Sequence, residues 1–210
     1  KTDYNFAGND NALWDECSRK AHYSNRPEGK PFFSIFNLTI SHESKLFPSK
    51  IAGNRKKNII PKTPRLDPAK LTLPPYLPDL PEMRHDFTVY HDTMTALDTQ
   101  IGGILAKLEK DGLADDTIIF YYGDHGGPTP RGKRYLHDTG VRIPMVIHVP
   151  EKWQKLSPFK NGTVSDEIVS FVDLAPTTLS LVGLKDDPQM QGRPFMGPNR
   201  EEPGEEPYAF

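Results

Sequence analysis

Cysteine is almost absent from this 210-residue chain, and long hydrophobic runs are absent altogether. A single cysteine, Cys17, excludes an internal disulfide framework. No apolar run approaches the ~20 residues that a membrane-spanning helix requires, so we expect no membrane span. An excess of positive charge is also missing, because the formal net charge is −2 and no basic stripe or zinc-ligand spacing occurs. We therefore expect no nucleic-acid partner, and we interpret the chain as a globular piece with its own core.

Proline is the residue in excess, and its positions divide the chain. The 21 prolines are about twice the number that an average usage of ~5% would give. Many lie in residues 47–81, which also hold the basic cluster Arg55-Lys56-Lys57. Such a stretch predicts a long insert without regular structure, which is either functional or an ordinary solvated loop. Residues 198–210 are rich in glutamate and proline, and they predict a poorly ordered acidic tail or the start of a further subdomain.

Helical and strand patterns alternate between the proline-rich parts. Residues 83–110 have apolar side chains at three-and-four spacing, and Gly112 follows as a helix stop. Three continuous apolar runs, at residues 32–40, 117–122 and 145–149, predict strands that are buried on both faces. This alternation predicts an α/β fold with a parallel sheet.

Polar groups follow the second of these runs. Asp124 and His125 come directly after residues 117–122, two glycines follow them, and Lys133 lies shortly beyond. In open α/β sheets, ligands bind at the carboxyl ends of the strands. A carboxylate and an imidazole beside a lysine therefore indicate a metal site that processes an anion. The alternative is an aspartate that accepts turn amides beside a surface histidine.

The order of these motifs resembles the sulfatase family, in the alkaline-phosphatase-like superfamily. Residues 123–126 read G-D-H-G, and residues 132–144 follow the family pattern G-K-x-x-x-x-[DE]-x-G-x-R-x-P. Residues 31–44, P-F-F-S-I-F-N-L-T-I-S-H-E-S, are similar to the family strand that ends in an active-site histidine. Residues 169–184 and 190–193 are similar to the next helix and the segment beyond it.

The resemblance implies a fold and an extent. It covers nearly all of residues 1–200, so residues 1–197 are interpreted as the later part of a sulfatase catalytic domain. The implied architecture is an α/β sheet flanked by helices, incomplete because the amino-terminal half is absent. The basic residues of the 47–81 insert would then border the active-site pocket, where they meet anionic glycan or are simply solvated. The stretch N-R-P-E-G-K-P-F-F at residues 25–33 resembles the heparan N-sulfatase-like branch, which points to amino-sugar substrates.

The resemblance also implies a metal site. Asp124 and His125 are the expected ligands, and Ca²⁺ is the expected divalent ion because a carboxylate is a hard oxygen ligand. Imidazole is a poor calcium donor, so the alternative role of His125 is to donate a hydrogen bond to the sulfate.

Further roles follow from the resemblance. Lys133 is expected to contact the sulfate as a point charge, and His42 to protonate the leaving group. Arg131 and His137 flank the lysine and are expected glycan contacts. Arg142 is expected to anchor the loop through Asp138.

The family nucleophile is missing from this chain. Sulfatases carry it in an early C/S-x-P-x-R motif, whose first residue becomes formylglycine, and no such motif occurs here. In C-S-R-K-A, which begins at Cys17, Arg19 replaces the proline and Ala21 the arginine, so the thiol is interpreted as a small hydrophobe. We expect formylglycine and two further metal-binding aspartates in the missing amino-terminal half, and we expect the chain alone to be inactive.

The expected partners are a sulfated saccharide, the missing amino-terminal half and a second copy of the chain, because uncovered strand edges self-associate. The resemblance implies a periplasmic, secreted or lysosomal location. Two alternatives stay open. One is a phosphodiesterase or phosphonate hydrolase on the same metal framework, and the other is a carbohydrate-binding remnant without catalysis. The sequence upstream of Lys1 distinguishes them, by the presence or absence of C-x-P-x-R.

Overall fold

The computed structural model describes residues 12–203 of the chain. Its helices and strands are, in chain order, α1 (Pro48–Lys56), α2 (Pro81–Lys110), β1 (Ile119–Tyr122), α3 (Asp138–Val141), β2 (Met145–His148) and α4 (Leu174–Leu181). Short 3₁₀ helices lie at Tyr23–Asn25, Glu43–Leu46, Pro68–Lys70, Ala114–Asp116, Glu151–Leu156 and Phe171–Asp173. The chain divides into two compact units, one up to Ile101 and one from Gly102 onward. In the described part of the chain, no helix is long and apolar enough to cross a membrane.

Helix α1 lies in the proline-rich stretch 47–81, which the sequence predicted to have no regular structure. That prediction is wrong here, because Pro48 occupies the first turn, where a missing N–H costs no hydrogen bond. The helix ends in a Schellman turn, in which Asn58 has a φ of 54° and the N–H of Ile59 donates to the carbonyl of Asn54 over 2.9 Å. An ordered helix of nine residues therefore forms between two groups of prolines.

The first unit packs around the earlier part of α2. Its core consists of buried apolar side chains from α1, α2 and the segments that precede them, namely Ile40, Ile51, Ile60, Val89, Ala96 and Leu97. Helix α2 confirms the helix predicted over residues 83–110, and it begins slightly earlier, at Pro81. It ends at Lys110, and Gly112 is the stop that the sequence predicted, with a φ of 70° and a bond of 3.1 Å from the N–H of Leu113 to the carbonyl of Leu108.

The strand predicted over residues 32–40 is not formed. Of these residues only Ile40 is buried, while Phe33 is 62% exposed and Ile35 is 39% exposed. A strand needs a neighbouring strand to pair with, and the described residues of the first unit contain none. The expectation of a strand buried on both faces is therefore wrong for this segment.

Strands β1 and β2 confirm two of the predicted strands, but they pair antiparallel instead of parallel. Tyr122 lies opposite Met145, so the chain leaves β1 and enters β2 at the same end of the sheet. A parallel pair would need a crossover, usually a helix, that returns the chain to the opposite end. The connection here contains only the four-residue helix α3, and it reverses the chain instead. Burial on both faces is also wrong, since Val146 is 59% exposed.

The second unit has its own core beside this sheet. Val149, Phe195 and Met196 are buried, and partly buried side chains of both strands and of α4 pack against them. Helix α4 confirms the helix predicted within residues 169–184. The described start of the predicted tail is anchored, because Arg200 pairs with Glu167 at 3.5 Å, whereas residues 204–210 lie outside the described residues.

Candidate functional site

The β1–β2 loop (residues 123–144) begins where β1 ends. The N–H of Gly123 donates to the carbonyl of Pro144 over 3.4 Å, and the chain then turns away from the sheet. The next side chain, the Asp124 carboxylate, is 87% exposed, and that of His125 is 36% exposed. The carboxyl end of β1 therefore presents a carboxylate and an imidazole, as the sequence predicted.

The ring of His125 is held in one orientation by a backbone contact. Its Nδ1 lies 2.7 Å from the carbonyl oxygen of Gly126. A carbonyl only accepts hydrogen bonds, so Nδ1 carries the hydrogen and the Nε2 lone pair of the neutral ring is available. Nε2 lies 3.6 Å from Oδ2 of Asp124. A histidine that donates one ring N–H to a backbone carbonyl is typical of a metal ligand.

These two side chains make only part of a metal site. Within residues 12–203, no group of three or more His, Cys, Asp or Glu side chains is arranged to hold a metal ion. Ca²⁺ takes about six to eight oxygen ligands. The exposed Asp124 carboxylate and the free Nε2 of His125 therefore fit as two members of a ligand set, and the described residues do not complete that set.

Glycines allow the loop to fold tightly on itself. The N–H of Gly126 donates to the carbonyl of Gly140 over 3.0 Å. A Cβ on Gly126 would lie 1.9 Å from the carbonyl oxygen of Thr139, and a Cβ on Gly140 would lie 2.1 Å from that of Tyr135. Such distances are far below van der Waals contact, so no other residue fits at either position without moving backbone.

Lys133 sits in the middle of this locked loop. Its N–H donates to the carbonyl of Gly127 over 2.9 Å. Two arginines close to it have left-handed backbone, with φ values of 65° at Arg131 and 74° at Arg134. This conformation costs about 1–2 kcal/mol for a residue with a Cβ, and such strain is concentrated at functional sites. The hydroxyl of Thr139 donates to the carbonyl of Arg131 over 2.7 Å, which helps to hold the first of them.

The remaining predicted loop residues lie close to α3. His137 precedes this helix, its side chain is exposed, and its carbonyl accepts from the N–H of Gly140 over 2.7 Å. The N–H of Arg142 donates to the carbonyl of Asp138 over 2.8 Å, which is a backbone bond of α3, so the anchoring role predicted for the Arg142 side chain stays a prediction. The loop thus holds all the predicted site residues except His42, which belongs to the first unit.

His42 begins the 3₁₀ helix Glu43–Leu46 instead of ending a strand. Its Nδ1 accepts from the N–H of Ser44 over 3.2 Å and lies 2.9 Å from the hydroxyl of the same serine. The hydrogen of the neutral ring is therefore on Nε2, and the side chain is exposed. His22 and Ser24 form the same arrangement, with the N–H of Ser24 3.1 Å from Nδ1 of His22.

Sequence reasoning missed three features that shape the site. The repeated H-x-S pattern at residues 22–24 and 42–44 was visible in the sequence, and it marks both histidine caps. The left-handed backbone at Arg131 and Arg134 had no sequence signal, because arginine does not favour it. Nor did the sequence indicate that the hydroxyl of Thr139 reaches across the loop. The side chain of Cys17, by comparison, is only partly buried and lies outside the loop.

Comparison with known proteins gives a consistent result over most of the chain. A family model described as Sulfatase matches residues 1–184. An ulvan-active sulfatase from Formosa agariphila is 38% identical over 224 residues, which cover 94% of this chain and 36% of that protein.

Other similar proteins match over a shorter range. Human N-sulphoglucosamine sulphohydrolase is 32% identical, over 54% of this chain and 22% of its own length. N-acetylglucosamine-6-O-sulfatase from Bacteroides thetaiotaomicron is 34% identical, over 49% of this chain and 18% of its own. The chain therefore spans little more than a third of the length of the longest-matching of these relatives, and less of the other two.

Proposed function

Because this chain belongs to the sulfatase family, whose alkaline-phosphatase-like α/β fold class the sequence predicted, we propose that it forms part of an enzyme that removes sulfate from a sugar. The observation that carries the proposal is the β1–β2 loop. It fixes Asp124, His125 and Lys133 on one glycine-locked segment that follows a strand end. The relatives that match here are sulfatases, and two of them are named for sulfated amino sugars.

The proposed substrate is a sulfate ester on an acidic polysaccharide. The ulvan-active relative matches 94% of the chain, whereas the sulphoglucosamine enzyme matches 54%. This difference favours an ulvan-like polysaccharide over the amino-sugar substrate to which the N-R-P-E-G-K-P-F-F stretch pointed. The proposed location stays that of the family resemblance, periplasmic, secreted or lysosomal.

Sulfate hydrolysis builds up negative charge on the nonbridging oxygens and on the leaving oxygen, and the site must stabilise both. We assign Lys133 to the nonbridging oxygens, because its backbone is anchored to Gly127 while its ammonium needs no fixed orientation to neutralise an oxyanion. Arg131 and His137 lie on the same loop, and we assign them to the sugar. Asp124 and Nε2 of His125 would hold a divalent cation, for which Ca²⁺ is our proposal. When bound, such an ion polarises a sulfate oxygen.

We assign the leaving group to His42. Because its Nδ1 accepts from the N–H of Ser44, Nε2 carries the hydrogen of the neutral ring and can donate a hydrogen bond to the leaving oxygen. The ring passes a full proton to a departing alkoxide from its imidazolium form, and the neutral ring then remains. The histidine cap therefore fixes the tautomer as well as the helix start.

The chain contains no C/S-x-P-x-R motif, so we propose that it does not turn over substrate alone. The formylglycine and the remaining metal ligands would come from a further portion of the protein. With two ligands of its own, the 210-residue chain should bind Ca²⁺ weakly or not at all.

The proposal is tested by measuring sulfate released from a sulfated ulvan oligosaccharide by ion chromatography. The 210-residue chain alone should release none, and the protein completed with its nucleophile region should release sulfate in a way that Asp124→Ala abolishes. Asp115→Ala is the matched control, because this exposed aspartate lies outside the loop. Turnover by the purified 210-residue chain contradicts the proposal, and so does a completed protein that cleaves a phosphodiester but no sulfate ester.

A further inference from the structure

An open polar cavity lies in the first unit, and none of the residues assigned above is among those that line it. It has a volume of about 360 Å³ and is bounded by the end of α1, the segment 37–40 and the side of α2. Its polar lining residues are Asn37, Thr39, Lys45, Asn54, Lys57 and Gln100. A volume of this size falls in the range of small-molecule pockets, about 300–1,000 Å³.

The charge of the cavity has one sign. Lys45 and Lys57 both line it, and none of its lining residues is acidic. Among the described residues, neither lysine forms an ion pair, although lysines elsewhere in the chain do, such as Lys107 with Asp111 at 2.5 Å. Two ammonium groups in a carboxylate-free concavity create a positive potential that favours an anion.

One wall of the cavity contains a hydrogen-bond donor without a protein acceptor. The side-chain nitrogen Nδ2 of Asn54 is buried and has no partner among the described groups. Leaving a buried donor unpaired costs about 1–3 kcal/mol, so an acceptor that reached Nδ2 through a small movement of this wall would recover that cost. The Schellman turn fixes this wall, because Asn54 lines the cavity and its backbone carbonyl accepts from the N–H of Ile59.

The position of Lys57 at the end of α1 also has an explanation that does not involve a ligand. Basic residues in the last turn of a helix interact favourably with the helix dipole, and α1 has Arg55 and Lys56 there. Lys57 follows directly, but it differs from Lys56 in lining the cavity. Lys45 lies in another element, the 3₁₀ helix Glu43–Leu46, and the dipole of α1 does not account for its position.

We propose that this cavity binds an acidic sugar unit, with Lys45 and Lys57 meeting a sulfate or carboxylate and Asn54 donating to a ring or hydroxyl oxygen. The side chains of Leu38, Ile40 and Ile59 supply the apolar surface that a pyranose ring packs against. The carboxamides of Asn37 and Gln100 supply further donors and acceptors for hydroxyl groups. The choice of ligand rests on the proposed function, and the site adds a second contact with the same class of polysaccharide.

The test measures binding and needs no turnover. The 210-residue chain is titrated with a sulfated heparin disaccharide and, separately, with the same disaccharide after desulfation. Binding is followed by calorimetry and by the side-chain amide signals in ¹H–¹⁵N NMR spectra. We expect the Asn54 amide signal to shift with the sulfated probe. We also expect Kd to rise about tenfold in Lys45→Ala and in Lys57→Ala, as for loss of a charged hydrogen bond.

The control variant is Lys56→Ala, which removes a neighbouring charge that does not line the cavity and should leave Kd unchanged. If thermal denaturation shows that an alanine variant folds poorly, Lys57→Gln and Lys45→Gln replace it, because glutamine removes the charge and keeps a long side chain. Equal Kd values for wild type, Lys45→Gln, Lys57→Gln and Lys56→Ala overturn the proposal, and so does an Asn54 signal that does not move. This test measures binding and not hydrolysis, so its failure is distinguishable from a failure of the proposed function, which is tested by sulfate release.

Discussion

The β1–β2 loop and the segment that leads to His42 both carry residues to which we assign catalytic roles, and they are ordered in different ways. The loop is held by contacts within itself, including Gly126 to Gly140 and Lys133 to Gly127. The segment 31–41 has no ladder hydrogen bonds, and several of its apolar side chains are exposed. It leads into the cap that His42 forms with Ser44.

The difference between the ordered loop and the open segment shows which kinds of local structure form without a neighbouring segment. Glycine contacts and backbone hydrogen bonds between residues close in sequence need nothing from outside the loop. A strand, by contrast, acquires its hydrogen bonds only from a neighbouring strand. The residues of the β1–β2 loop are therefore fixed by contacts within the loop, whereas His42, which was expected at the end of a strand, is held by its cap with Ser44.

The largest expected effect contrasts the chemistry of the two regions in the completed enzyme. Lys133→Ala removes a charge that meets the sulfate of every substrate, so kcat/KM should fall by about 10²–10³ for all of them. His42→Ala removes the proton donor, so the fall should be about 10²–10⁴ for alkyl sulfates and small for nitrophenyl sulfate, whose departure needs little protonation. Steady-state kinetics on both substrate types measure this.

The control for this contrast is His22→Ala, because His22 forms the same cap without a role in the proposed chemistry. It should leave the ratio of activities on the two substrates unchanged. If His42→Ala reduces both substrates equally, or if His22→Ala changes the ratio as much, His42 acts only as a cap.

The second effect tests the lock of the loop. In Gly140→Ala the new Cβ would meet the carbonyl oxygen of Tyr135 at 2.1 Å, so the free energy of unfolding should fall by about 1–3 kcal/mol, as in overpacking. Gly102→Ala is the matched control, because a Cβ there meets nothing within 4 Å and α2 should gain up to about 1 kcal/mol. Urea denaturation of the 210-residue chain measures both, and a Gly140→Ala chain as stable as wild type would show that the loop is not locked.

A third, smaller effect tests the open segment. Phe33 and Ile35 expose apolar surface beside backbone without ladder bonds, so the chain should self-associate through this segment. Phe33→Ser with Ile35→Ser should weaken the association about tenfold, whereas Leu136→Ser, which changes a 95% exposed side chain of the loop, should not. Light scattering over a dilution series measures association. A chain that is monomeric at all concentrations contradicts the prediction.

The smallest effect concerns the approach to β1. The hydrogen bond from Lys152, followed by that from Trp153, holds the pKa of Asp116 below its usual value. Because the pKa of Asp116 is lower in the folded chain than in the unfolded chain, its ionised carboxylate stabilises the folded chain at pH values above the unfolded pKa of ~3.9. This contribution is lost as the pH falls through the lower, folded pKa. Asp116→Asn should therefore lower the urea midpoint at neutral pH, and the difference from wild type should shrink in acid. Asp115→Asn should show no such pH dependence.

The sequence predicted most reliably where the determinants are local. The family resemblance, including its N-sulfatase-like members, is confirmed by the comparisons. Helix α2 and its stop at Gly112 follow from apolar spacing and a residue that tolerates positive φ. The strand starts near Ile119 and Met145 follow from apolar runs bounded by turn residues. In each case the residues that form the sequence pattern are also the residues that form the helix, the stop or the strand.

The predictions that were wrong depend on which segments pack or pair with each other, and a local sequence pattern does not contain this information. An apolar run predicts a strand but not its neighbour, so the antiparallel pairing and the absent strand at residues 32–40 were both missed. A high proline count predicted no regular structure in 47–81, although Pro48 favours the first turn of α1. The roles assigned to Asp124, His125, Lys133 and His42 stay predictions, because chemistry and not geometry must test them.

The reversal of the chain at the β1–β2 loop has a consequence for the order of folding. Tyr122 and Met145 lie 23 positions apart, but loop-closure entropy grows only slowly with length, and this pairing is local compared with the contacts of the second-unit core. During synthesis this hairpin can form as soon as β2 has left the ribosome, before α4 and the second-unit core residues Phe195 and Met196 exist. We therefore expect the strained arginine turn around Lys133 to be an early native structure of the nascent second unit, on which the remaining core later condenses.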